Sequence, residues 1–167
     1  MFERREGEEA LEFDPARRPG DGHVVFIGRV ASPWVRRKDC PKNMRAARET
    51  GKTASVFVDA AHRPGLRGLE GVSHVIVLTW LHHSPRDLIV QKPRHAAEAK
   101  GVFALRSPVR PSPVGLHVAR LLSLDTGTGE LGLEAIDALD GTPVIDIKPY
   151  FASVDSVPDA GVTRSDR

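Results

Sequence analysis

Short apolar runs, each closed by turn-forming residues, set the tightest limit on how this chain folds. His23–Val30 reads as a strand, and Ser55–Val58 as a second, shorter one. Ser73–His83 contains the unbroken run Val75-Ile-Val-Leu-Thr-Trp-Leu81, which predicts the strongest strand, buried on both faces. Leu88–Val90 and Val102–Leu105 are weaker candidates. Leu116–Leu124 and Leu131–Leu139 flank a Gly-rich turn and predict a hairpin, and Pro143–Ile147 is the last strand. Between these runs only one short helix is predicted, around Met44–Glu49 and ended by Gly51, while Arg63–Gly71 reads as a turn region. Long helices do not alternate with strands, which argues against a doubly wound α/β fold. The pattern predicts an all-β fold: a small single-domain β-barrel with a few short helices. Residues 1–22 are expected to form an arm, residues 23–152 the barrel domain and residues 153–167 a polar tail.

The chain of 167 residues suits one domain of ordinary size. No run approaches the roughly 18 apolar residues of a membrane helix. The charged N-terminus lacks an apolar signal region, so the expected location is cytoplasmic, with no membrane partner. A single cysteine, Cys40, excludes an internal disulfide framework. His82 and His83 are adjacent and point to opposite faces of a strand, and His62, His74, His95 and His117 show no ligand spacing. No metal is expected. Net charge is only +2, but residues 36–52 carry +5, residues 86–120 carry another +5, and the remainder carries −8. Charge segregated in this way predicts a basic face able to meet phosphate, if the two segments meet in space.

Two polar segments carry the functional signal. In Arg106-Ser-Pro-Val-Arg-Pro-Ser-Pro-Val-Gly115, the prolines Pro108, Pro111 and Pro113 cannot sit in a helix interior or a central strand. They fix a stiff loop from which Arg106 and Arg110 project towards an anionic ligand or simply into solvent. In Asp140-Gly-Thr-Pro-Val-Ile-Asp-Ile-Lys-Pro-Tyr150, period two puts Asp146, Lys148 and Tyr150 on one strand face. They form either a catalytic group able to orient a polar substrate and move a proton, or a salt-bridged strand end. Gly127-Thr-Gly-Glu-Leu-Gly132 matches a dinucleotide-binding pattern, but a strand follows it where a helix is required, so it reads as a hairpin turn. Asp125-Thr-Gly127 resembles the signature of retropepsin-like aspartic proteases, a remote alternative, since polar neighbours at a hairpin tip argue against the buried carboxylate pair that chemistry needs.

The two polar segments closely resemble the TsaA-like (YaeB-like) family. Ile27-Gly-Arg-Val-Ala-Ser-Pro33 is similar to the family's opening strand, and Arg67-Gly-Leu-Glu-Gly-Val-Ser-His74 leads into its central strand. The likeness covers roughly residues 24–152. Members include S-adenosyl-L-methionine-dependent methyltransferases that act on N6-threonylcarbamoyladenosine beside the tRNA anticodon. The resemblance implies a homodimeric barrel, a cytoplasmic enzyme of tRNA modification, and tRNA as partner. It implies cofactor contacts at Pro41, Lys42, Asn43, His82, His83, Arg106, Leu116, Asp140, Gly141, Thr142 and Pro143. Arg110 and Ser112 would face the substrate, with Asp146, Lys148 and Tyr150 as catalytic candidates. The family usually has Pro-Arg-Gln, His-Gln and Asn where this chain has Pro41-Lys42-Asn43, His82-His83 and Ser112. The alternatives are a methyltransferase for another substrate and a non-catalytic nucleotide- or RNA-binding barrel.

Overall fold

The structure, a computed structural model, describes residues 4–17, 20, 22–93 and 96–161. Its strands are β1 (Glu9–Ala10), β2 (Gly28–Ala31), β3 (Ala54–Val58), β4 (His74–Trp80), β5 (Leu88–Gln91), β6 (Lys100–Gly101), β7 (Val114–Asp125), β8 (Glu130–Leu133) and β9 (Pro143–Pro149). Two short α-helices accompany them, α1 (Met44–Glu49) and α2 (Ala152–Asp155). Six strands close into an antiparallel barrel in the order β2-β3-β8-β7-β4-β9, which is the all-β architecture expected. β1, β5 and β6 make a separate three-stranded sheet, so part of the expected N-terminal arm pairs with the body of the protein.

Alternation along the strands fills the barrel. Ala54, Val56 and Val58 of β3, Val75 and Val77 of β4, and Leu131 and Leu133 of β8 are buried in the core, with Val30, Ala119, Ile136 and Val144. Closure leaves each barrel strand with two neighbours, which removes the unpaired edges of an open sheet. The β7–β8 turn takes Gly129 at φ +80°, a conformation only glycine adopts without strain.

Several expected elements differ in extent. β2 begins at Gly28, because pairing with β3 and β9 reaches only that far, and Val24, Val25 and Phe26 stay exposed. β4 is buried on one face only: Val75, Val77 and Thr79 point inward, while His74, Ile76, Leu78 and Trp80 are half-buried on the outside. Val102–Ala104 forms a 3-10 helix in place of a strand, since the Arg110 guanidinium gathers the Val102 and Leu105 carbonyls into a turn. Ala60–Leu66 is also a 3-10 helix, overlapping the start of the turn region expected at Arg63–Gly71. β8 stops at Leu133, and the chain then crosses the barrel mouth as an irregular segment to β9.

Candidate functional site

The Pro41–Asn43 segment stands where it does because of α1. Asn43 caps that helix, its Oδ1 accepting from the Ala46 amide at 2.9 Å. Arg48 then ties the helix to the barrel: its Nε donates to Glu134 Oε1 at 2.7 Å and its Nη2 to the Val118 carbonyl at 2.6 Å. Burial alone would raise the Glu134 carboxyl, but the Arg48 guanidinium and the Arg120 amide hold it below its ordinary range. The proline loop is fastened from within. Arg110 donates to the carbonyls of Ser107 at 3.0 Å, Val102 at 2.8 Å, and Leu105. Arg106 Nη2 reaches the Leu116 carbonyl at 3.3 Å.

These segments enclose a cavity of about 1210 Å³ at the end of the barrel where β4 finishes and β7 begins. Pro41, Lys42, Asn43, His82, His83, Arg106, Arg110, Leu116 and Thr142 all line it, so residues singled out far apart in sequence share one space. The two basic segments do meet: Arg37, Lys42, Arg45 and Arg48 come from the first, and Arg106 and Arg110 from the second. Leu78, Leu81 and Val114 supply apolar wall. His82 and His83 stand exposed at its mouth with ring centroids 3.7 Å apart, and burial, followed by the neighbouring His83, pulls His82 below the usual histidine range.

Asp140, Gly141, Pro143 and Ser112 are not among the lining residues. Asp140 instead accepts from the Ser32 amide at 3.1 Å, and Thr142 Oγ1 donates to the Leu139 carbonyl at 2.7 Å, so this turn joins β2 to β9. Asp146, Lys148 and Tyr150 lie outside the cavity as well. Asp146 and Lys148 share a strand face, and their side chains pair at 2.7 Å. Asp125 sits exposed at the β7–β8 tip, its Oδ1 accepting from the amides of Gly127 and Thr128, which removes the protease reading. Among the described residues, no group of three or more His, Cys, Asp or Glu side chains is placed to hold a metal ion.

Sequence reasoning missed a buried polar unit at the cavity floor. His117 points into the barrel from β7 and is 3% exposed, and Thr79 on β4 is 0% exposed. His117 Nδ1 lies 2.6 Å from Asp137 Oδ1, and its Nε2 lies 2.9 Å from Thr79 Oγ1. Gly115, opposite Thr79 in the ladder, makes room: a Cβ there would come within 2.3 Å of Thr79 Oγ1 and 2.7 Å of His117 Nε2. The inward period of β7 was a readable signal for His117. Nothing local marked Asp137, which lies in the irregular segment after β8. Cys40 also lines the cavity, where burial and then the charge of Asp137 push its thiol up to about 11.

A closed antiparallel barrel with a large, cation-rimmed and partly apolar cavity at its mouth defines a ligand-binding β-barrel built without a dinucleotide-binding sheet. Comparison with known proteins narrows this class. The chain belongs to the family of the tRNA-methyltransferase O N-terminal domain, whose model matches residues 29–156. An S-adenosyl-L-methionine-binding protein of Archaeoglobus fulgidus is 37% identical over 131 residues, covering 78% of this chain and 91% of its own length. A tRNA (adenine(37)-N6)-methyltransferase of Mus musculus is 42% identical over 105 residues, 61% of this chain and 23% of that protein. The crystal structure of TrmO from Pseudomonas aeruginosa superposes with a TM-score of 0.68 at 32% identity, over 88% of this chain and 64% of that one. The chain thus spans less than two thirds of that solved relative.

Proposed function

We propose that this chain is an S-adenosyl-L-methionine-dependent methyltransferase acting on tRNA. The observation that carries the reading is the cavity, whose lining suits the chemistry of that methyl donor. Arginines can hold its carboxylate, and Leu78, Leu81, Val114 and Leu116 offer an apolar surface to adenine. The volume of about 1210 Å³ exceeds the roughly 300–1,000 Å³ of a single-ligand pocket, leaving room for part of an acceptor beside the donor. In this reading the donor is held by Pro41, Lys42, His82, His83, Arg106, Leu116 and Thr142, with Asn43 fixing the segment through its cap on α1. The bound donor supplies an electrophilic methyl group on a sulfonium. The protein's own part is to position and desolvate, since an in-line displacement gains most from alignment.

The acceptor in this reading is N6 of the threonylcarbamoylated adenosine beside the anticodon, approached across the cationic rim. The same reading makes the protein a cytoplasmic homodimer. No helix among the described residues is long and apolar enough to cross a membrane.

Calorimetric titration with S-adenosyl-L-methionine, followed by transfer of labelled methyl to bulk tRNA, tests the reading. Saturable binding and label in tRNA are expected. Absence of binding at millimolar donor sinks the proposal, and binding without transfer turns it into the non-catalytic RNA-binding barrel. Arg106→Ala weakens donor binding by about 1.5–3 kcal/mol when a charge-assisted pair is lost.

A further inference from the structure

The cavity presents one carboxylate against six cationic side chains. Among the described residues that line it, Asp137 is the only Asp or Glu, sharing the lining with Arg37, Lys42, Arg45, Arg48, Arg106 and Arg110. Its placement is highly constrained. Oδ1 takes the Nδ1 proton of His117 at 2.6 Å, and His117 is fixed on its other side by the Thr79 hydroxyl. Among the described residues no hydrogen bond engages Oδ2, and Asp137 borders the cavity. An Asp–His–Thr chain buried in a barrel wall is costly to build unless every member is satisfied. Here each is, except for one carboxylate oxygen of Asp137, which borders the cavity.

We infer that Asp137 is the proton acceptor of the methyl transfer, with His117 and Thr79 as the positioning residues that aim it. This rests on the methyltransferase reading above. As a nitrogen–carbon bond forms at the acceptor, Asp137 Oδ2 takes the proton that nitrogen gives up. The carbon–sulfur bond that breaks leaves its electron pair on sulfur, so the donor departs as a neutral thioether and the charges balance. No other lining group suits the task. Lysine and arginine are already protonated, and His82 and His83 stand at the mouth where water reaches them. Asp146 and Tyr150, the sequence-based candidates, do not border the cavity. Fixing Oδ1 through His117 leaves the second oxygen with a set direction before the acceptor arrives, which lowers the reorganisation needed in the reaction.

The test uses the full chain with S-adenosyl-L-methionine as donor and bulk tRNA as acceptor. For Asp137→Asn we expect kcat to fall at least 100-fold while the donor dissociation constant, read by calorimetry, stays within threefold. Asp137→Glu, which keeps a carboxylate, recovers part of the rate and covers the case in which the Asn variant does not fold. His117→Ala lowers kcat with KM nearly unchanged. His117→Asn, whose amide can still donate to Asp137, regains a measurable share. One readout is independent of turnover: the His117 Nδ1 proton gives a low-field, exchange-protected NMR signal in the wild type that disappears in Asp137→Ala. Full kcat in Asp137→Asn overturns the inference, as does the absence of that proton signal in the wild type. A loss confined to donor affinity also overturns it and makes Asp137 a counter-charge. Donor binding by the wild type with no transfer to tRNA defeats the function reading and this inference together. An active wild type with an equally active Asp137→Asn defeats this inference alone.

Discussion

Cys40 reports on the cavity floor because its titration is set by its burial there and then by the same carboxylate. Burial and the nearby Asp137 hold its thiol up to about 11, so it stays protonated through neutral and mildly alkaline pH. An acid with a raised value ionises only near that value, so roughly a thousandth is thiolate at pH 8. Since thiolate is the nucleophile, iodoacetamide should modify Cys40 on the order of 100-fold more slowly than a free cysteine. Asp137→Asn removes one of the two causes and should speed the reaction. Alkylation of the wild type at the rate of a free thiol would mean that neither burial nor Asp137 acts on it. Lys42 and Asn43 show how one short segment divides its labour. Asn43 is committed to capping α1, while Lys42 is exposed on the cavity rim.

The strand pair β4–β7 is the element on which the site depends. Its ladder runs from His74↔Arg120 to Trp80↔Val114, and its inward positions change from valine and alanine to Thr79, Gly115 and His117 at the cavity end. Gly115 is required there by close approach. Gly115→Ala would drive a methyl into Thr79 and His117, atoms held by the barrel itself. We expect about 1–3 kcal/mol of lost stability in thermal melting, together with loss of the His117 Nδ1 proton signal. An unchanged melting curve would show that the two strands can separate locally to admit the methyl. The proline loop acts as a second rigid element. Arg110, read from sequence as a projecting cation, spends its guanidinium on three carbonyls of its own loop, so its role in shaping the cavity wall is built in.

At the scale of the whole molecule, barrel closure brings two basic segments to one mouth although most of a strand order separates them. Residues 36–52 follow β2, residues 86–120 follow β4, and β2 and β4 both flank β9. A cationic rim around an apolar cavity suits a polyanion whose reacting base enters the cavity while its phosphates stay outside. Binding of tRNA should therefore weaken steeply as salt rises from 50 to 200 mM, which filter binding or fluorescence anisotropy can follow. A salt-independent affinity would remove the rim from the interface. Light scattering giving twice the chain mass would support the homodimer, and a monomeric mass would end that part of the proposal.

The barrel was legible in the sequence because its causes are local. Period-two burial, glycine at the β7–β8 turn and the lack of long helices each limit the backbone within a few residues. The α1 helix could be read for the same reason. The two polar motifs were legible as well, since three prolines and a Gly-Thr-Pro turn restrict the chain wherever they occur. The helical turn at Val102–Ala104 was not, because Arg110, which gathers the Val102 and Leu105 carbonyls, acts through space. The buried floor of the site was decided by tertiary structure. Asp140 and Asp137 are neighbours in one segment, yet one fastens a turn and the other faces the cavity. His117 had no ligand spacing to mark it, and Asp137 no motif. They meet Thr79 only because the barrel closes, placing an inward position of β7 between β4 and the segment that leaves β8.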